Sequence, residues 1–174
     1  MGKTRPMFED NHYDIEIKRG YQEVNDKILD YVKEKIGEYI FLDIGCNTGV
    51  LLEELGRGVG VDASQMMVDR CNEKNLSVVW ATAEDLPFDA GEFPVCVLSC
   101  VLYACSDIDK VLKEALRVAS KRVIGVNNYP DSPWGIGSLS PWVKSVIPPE
   151  YMQEKYKAKI EQIDKYHYYF EIEK

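Results

Sequence analysis

Ile40-Phe-Leu-Asp-Ile-Gly-Cys-Asn-Thr-Gly-Val50 is the stretch on which the fold turns. An apolar run ends in an acid, Asp43, and passes through Gly45-Cys-Asn-Thr-Gly49. Val50, Leu51, Leu52 and Leu55 then follow at helical spacing. This pattern reads as a buried strand, a glycine turn and a helix start. Such a turn lets a ligand approach backbone that a Cβ would block. It also aims the N–H groups of the helix N-terminus at that ligand. The competing reading is a structural turn that binds nothing.

On the N-terminal side, the polar segment 1–20, with His12 and Tyr13, reads as an arm or lid. Val24, Ile28, Tyr31, Val32 and Ile36 repeat at three and four, which predicts a helix over 22–36 ending near Gly37. On the C-terminal side, Gly58-Val-Gly-Val-Asp62 is a second short strand ending in an acid. Ser64 is placed to cap the next helix, with Met67, Val68 and Cys71 on one face. Strands follow at 76–81, at 95–100 and at 122–127, and Pro94 marks the start of the middle one. Ser106-Asp-Ile-Asp109 has the capping-box pattern before Val111, Leu112, Ala115, Leu116 and Ala119.

This alternation of strand and helix predicts an α/β fold, a three-layer Rossmann-like and mostly parallel sheet with helices on both faces. Ligands in such sheets lie beyond the carboxyl ends of the strands, where Asp43, Asp62, Thr82 and Ser99 fall. After Asn128 the pattern changes. Turn formers fill 127–138, a short helix is expected over 141–147, and another helix over 149–165. The only convincing strand there is 166–173. The C-terminal strand set therefore looks shortened, unless 143–147 supplies a strand. An edge left open in this way could be covered by a second copy of the chain, giving a homodimer. The whole reads as one domain: an arm over 1–20, a cofactor-binding core over 21–128 and a substrate or edge region over 129–174.

Composition narrows the function classes. The chain has 174 residues, 45% hydrophobic and 29% charged, which suits one domain with a sizeable core. Its net charge is −8, with the basic residues dispersed among a larger number of acids, so nucleic acid is not the expected partner. No apolar run approaches the ~20 residues of a membrane span. The N-terminus lacks a signal-peptide core, and the five cysteines are odd in number and scattered, so the expected location is cytoplasmic.

Spacing selects among nucleotide ligands. A dinucleotide fingerprint wants Gly-x-Gly-x-x-Gly, but Asn47 and Val50 occupy the second and third glycine places counted from Gly45. What stands instead is Asp43-x-Gly45-x-x-x-Gly49, with Asp62 placed 19 residues after Asp43 to accept from ribose hydroxyls.

Four segments together resemble class I S-adenosylmethionine-dependent methyltransferases of the small-molecule, type 11-like kind. They are Leu42-Asp-Ile-Gly-Cys-Asn-Thr-Gly49, Gly60-Val-Asp-Ala-Ser64, Ala83-Glu-Asp-Leu-Pro-Phe88 and Val111-Leu-Lys-Glu-Ala-Leu-Arg-Val118. The resemblance implies S-adenosylmethionine as cofactor and S-adenosylhomocysteine as product. It puts Asp43, Gly45, Cys46, Asn47 and Gly49 at the methionine end and Asp62 at the ribose. Ala63, Thr82 and Ala83 fall at adenine, with Ser99 and Cys100 on the floor. Three positions depart from the family pattern: Thr82 stands where an acid is common, Asn47 where Gly is frequent, and Pro94 where Asp is common.

The resemblance further implies methyl transfer to a small-molecule nucleophile, with a cofactor-binding sensor or partner subunit as the alternative. Another adenosyl ligand, as in aminopropyl transfer, has no supporting acidic motif. In-line displacement requires no general base, which fits the absence of a catalytic motif. Tyr103, Tyr13 and His12 are the candidate bases or orienting residues. His167 reads as a satisfied sheet residue. Cys96, Cys100 and Cys105 read as packing rather than metal ligands. Asn127-Asn-Tyr-Pro130 matches the nucleic-acid amino-methyltransferase motif only by chance, because that motif belongs after the fourth strand. Trp134, Trp142, Tyr151 and Tyr156 are left as a substrate wall or a subunit contact.

Overall fold

The computed structural model describes residues 22–132 and 144–174. The expected lid, with His12 and Tyr13, lies outside the described residues, as do Trp134 and Trp142.

The chain runs α1 (Gln22–Ile36), β1 (Phe41–Ile44), α2 (Val50–Leu55), β2 (Val59–Asp62), α3 (Gln65–Glu73), β3 (Val78–Trp80) and β4 (Phe93–Ser99). After a 3₁₀ turn at Leu102–Ala104 come α4 (Ile108–Val118), β5 (Ala119–Asn128), α5 (Pro149–Tyr156), β6 (Lys159–Gln162) and β7 (His167–Glu173). Seven strands form one sheet in the order β3-β2-β1-β4-β5-β7-β6. The five strands β3, β2, β1, β4 and β5 are parallel, and β7 and β6 add antiparallel. The order reverses beside β1, and that point of reversal puts the glycine turn at the centre of the sheet's carboxyl edge.

Buried apolar residues divide by strand face. Phe41, Val95, Val97, Ile124, Val126 and Tyr169 pack with Ile28, Val32 and Ile36 of α1, Leu51 and Leu52 of α2, and Cys71 of α3. Leu42, Ile44, Cys96, Leu98, Val123, Tyr168 and Phe170 pack with Val111, Leu112, Ala115 and Val118 of α4 and Met152 of α5. Helices therefore cover both faces, which explains why β1 and β4 read as nearly continuous apolar runs rather than alternating ones.

Several local expectations change. Ser64 precedes α3 but makes no side-chain cap bond, whereas Asp62 holds its N–H. Pro94 does not open β4. The strand starts at Phe93, and the register with β5 shifts between Phe93 and Val95, so the residue without an N–H sits at an irregularity. The cap of α4 is Asp107 rather than Ser106, its carboxylate accepting from the Lys110 N–H at 3.0 Å.

The C-terminal third differs most. Residues 144–147 form neither helix nor strand. The helix expected over 149–165 stops at Tyr156, where Lys157 takes a left-handed conformation (φ 57°) and turns the chain into β6. The strand set is thus complete rather than shortened, and the open edge that suggested a dimer is filled. The outer strand β6 carries Lys159 and Glu161, charges of the kind that blunt an edge against pairing. Among the described residues no helix is long and apolar enough to cross a membrane.

Asp107→Ala is expected to lower stability by about 1 kcal/mol through loss of the cap. Ser106→Ala is expected to change it by a few tenths at most, and paired denaturant melts separate the two.

Candidate functional site

The carboxyl ends of β1 and β2 are locked together by backbone and one carboxylate. The N–H groups of Gly45 and Cys46 donate to Val61 O at 2.7 and 3.0 Å, and the Gly49 N–H donates to Cys46 O at 2.9 Å. The Asn47 N–H donates to Asp62 Oδ2 at 2.8 Å, and the Ser64 N–H donates to Asp62 Oδ1 at 2.9 Å. The turn therefore spends these loop N–H groups internally, ahead of the helix start at Val50. Gly45 and Gly49 have φ of 77° and 75°, and Asn47 tolerates 52°. A Cβ on Gly45 would lie 2.4 Å from Val101 Cγ2, and one on Gly49 would lie 2.5 Å from Leu76 Cδ1. The glycines thus answer both to left-handed backbone and to close packing behind the loop.

Two acids face this junction from within the protein. Asp43 is 5% exposed and Asp62 is 8% exposed. Burial, with the Asp62 charge adding to it, pushes the Asp43 carboxyl up to about 7. Burial also raises Asp62, and the two backbone N–H groups partly offset this. No basic side chain among the described residues pairs with either carboxylate. A pair of buried acids without a cation favours a cationic ligand beside it. Below the loop, the Cys46 and Cys71 thiols point at Asn47 O from 3.9 and 3.2 Å. Burial raises both, so they stay neutral and pack.

The segment after β3 is fixed from α4. The Leu86 N–H donates to Glu114 Oε2 at 3.0 Å, while Arg117 donates to Phe88 O at 2.7 Å and to Leu86 O at 2.9 Å. Arg117 also pairs with Glu114, holding its carboxyl down at about 2. Glu114 and Arg117 were quoted as part of a motif but given no task by sequence reasoning. Their i, i+3 spacing on a polar helix face was the available signal. Ala63 follows β2, and Thr82 and Ala83 come just after β3, the adjacent parallel strand. The Ala81 N–H reaches Asp62 O at 3.2 Å, and Trp80 Nε1, on a side chain 61% exposed, reaches Ala63 O at 3.0 Å.

The ends of β4 and β5 form the other half. Ser99 closes β4, and Cys100, at φ 54°, donates its N–H to Val126 O at 2.8 Å. Burial raises the Cys96, Cys100 and Cys105 thiols to about 12, consistent with packing. The Tyr103 carbonyl accepts the N–H groups of Lys144 and Ser145 at 2.8 and 3.3 Å, drawing 144–147 over the strand ends. A cavity of about 10 Å³ results, lined by Tyr103, Asn127, Asn128, Ser145, Val146 and Ile147. Of the three orienting candidates, Tyr103 reaches this cavity, and Tyr13 and His12 lie outside the described residues. His167 is buried with Nδ1 2.9 Å from Asp164 Oδ1, so it is satisfied as expected. Tyr151 and Tyr156 both donate to the Asp109 carboxylate and tie α5 to α4 instead of forming a free aromatic wall.

Residues 42–124 match the family model described as a methyltransferase domain. Over those residues the chain is similar to methyltransferase domains. A methyltransferase of Archaeoglobus fulgidus, S-adenosylmethionine-dependent, superposes with a TM-score of 0.77 at 18% identity, covering 95% of this chain and 100% of that one. Another from Thermotoga maritima gives 0.76 at 17% identity, with 94% and 97% covered. By sequence, the chain is 31% identical over 101 residues to the Methanocaldococcus jannaschii protein MJ1123, 56% of this chain and 49% of that protein. It spans about half the length of the curated relatives it matches.

The Archaeoglobus fulgidus and Thermotoga maritima proteins depend on S-adenosylmethionine, and the residues present here fit that cofactor. Its sulfonium and α-ammonium charges match the acid pair Asp43 and Asp62, which no cation among the described residues neutralises. Ionised Asp43 is the form that attracts a cation. S-adenosylmethionine affinity is therefore expected to fall about tenfold per pH unit below ~7, where the carboxyl takes up a proton. The sign for the ligand-free protein is opposite. A carboxyl raised from 3.8 to about 7 on folding makes stability decline as pH rises between these values and level off above them. Asp43→Asn is expected to flatten both trends, measured as calorimetric affinity and melting temperature against pH relative to the parent protein.

Proposed function

We propose that this domain transfers a methyl group from S-adenosylmethionine to a small-molecule nucleophile by in-line displacement. The single observation behind this reading is the buried Asp43 and Asp62 pair at the adjacent ends of β1 and β2, uncompensated by any described cation. When bound, the cofactor supplies a methyl carbon already activated by positive sulfur, so positioning and water exclusion matter more than proton transfer.

In this reading Asp43, with Gly45, Cys46, Asn47 and Gly49, holds the methionine end. Each Asp62 oxygen accepts one backbone N–H and keeps lone-pair capacity for the ribose hydroxyls. Ala63, Thr82 and Ala83 hold adenine, and Ser99 with Cys100 forms the floor beneath the sulfur. The acceptor enters at the ends of β4 and β5 beside Tyr103. A net charge of −8 disfavours a polyanionic acceptor, which supports a small molecule.

Calorimetry with S-adenosylmethionine and S-adenosylhomocysteine tests the reading. Both are expected to bind, and Asp62→Ala is expected to weaken them by ~1–3 kcal/mol through lost hydrogen bonds. Failure of the parent protein to bind either compound sinks the proposal.

A further inference from the structure

Resting on the methyl-transfer reading above, we infer that Asn127 is the acceptor-recognition residue and that it selects a nucleophile bearing its own N–H or O–H. The geometry is that of a hydrogen-bond chain ending at the cavity between β4 and β5. Asn127 and Tyr168 stand opposite each other in the antiparallel β5 and β7 pair, both buried. Tyr168 Oη lies 2.6 Å from Ile147 O and 3.1 Å from Asn127 Nδ2.

These contacts determine which way the amide points. A backbone carbonyl only accepts, so the Tyr168 hydroxyl must donate to Ile147 O. Its oxygen is then left to accept, and the group it accepts from is Asn127 Nδ2. With Nδ2 turned toward Tyr168, Oδ1 is the amide atom left to accept from another donor, and Asn127 lines the cavity. Asn127 is 4% exposed, so Oδ1 gains little from solvent and calls for a donor.

A second polar residue lines the same space. Ser145 lines the cavity, and its buried Oγ has no hydrogen-bond partner among the described residues. A cavity of about 10 Å³ matches roughly one water-sized group, such as an amine or hydroxyl at the tip of an acceptor. An N–H or O–H placed there satisfies Oδ1. A thiol is a weak donor and a carbon acid none, so both leave Oδ1 poorly paired. Tyr168 touches no acceptor and acts through Asn127, as a positioning residue.

The test begins with S-adenosylhomocysteine binding by calorimetry. Purified protein is then incubated with S-adenosylmethionine and a size-matched panel of small amines, alcohols, thiols and carbon acids, with S-adenosylhomocysteine release as the readout. Release is expected with an amine or alcohol. Asn127→Leu is expected to lower kcat/KM for that acceptor by roughly 5- to 150-fold, the range for one buried hydrogen bond. Its affinity for S-adenosylhomocysteine should stay at the parent value.

Tyr168→Phe keeps the ring and frees the amide to rotate. It should raise KM more than it lowers kcat, and it decides the matter if Asn127→Leu does not fold. Release with thiols or carbon acids alone, or with no panel member, overturns the inference while cofactor binding still stands. Unchanged kcat/KM in a folded Asn127→Leu or Tyr168→Phe protein overturns it as well. Absence of S-adenosylhomocysteine binding sinks the methyltransferase reading itself.

Discussion

One carboxylate joins the parts of this site. Asp62 ends β2, and its two oxygens receive the N–H groups of Asn47, from the loop after β1, and of Ser64, at the entrance to α3. Two successive β-to-α turns are thereby fixed to each other by a side chain that is almost entirely buried. A hydrogen bond to a charged group stabilises more than a neutral one, and a buried charge left without partners is costly. The acid is therefore held in place by the loop it organises. The same constraint leaves Asp43 on the neighbouring strand in a poorly solvated position beside a like charge. Burial and the neighbouring charge together favour the protonated form of Asp43.

The remaining walls are supported from the other side of the sheet. Helix α4 contributes its apolar face to the core and two polar residues, Glu114 and Arg117, to the loop carrying Leu86 and Phe88. Across the sheet's midline, the Tyr103 carbonyl and the Tyr168 hydroxyl hold residues 144–147 over the ends of β4 and β5. The half proposed for the cofactor is built by parallel strands and their turns. The half proposed for the acceptor depends on the antiparallel pair β6 and β7, which brings Tyr168 beside Asn127. Construction of the two halves by different parts of the chain lets one cofactor site serve different acceptors within a fold.

Local chemistry made much of this legible before any coordinates. Strand ends, glycine turns and the Asp43 to Asp62 spacing depend on neighbours a few residues apart, and those expectations held for β1, β2, α1 and α2. The errors fell where distant residues decide. The cap of α4 shifted by one residue because Asp107, not Ser106, meets the Lys110 N–H. The helix expected through Lys165 was cut at Lys157, since pairing of Lys159–Gln162 with β7 outweighs weak helical periodicity.

The sequence by itself determined the doubly covered parallel sheet and the placing of Asp43 and Asp62 on adjacent strands near its carboxyl edge. Each follows from hydrophobic period, turn residues and spacing along the chain. Only the tertiary structure decided that the glycine loop spends its N–H groups on Val61 and Asp62, because those partners lie some 15 residues away, on another strand. Asn127 looked in sequence like a chance motif match. Packing against Tyr168, 41 positions downstream, fixes its amide, and hydrogen-bond direction at that distance in the chain leaves no mark on local sequence.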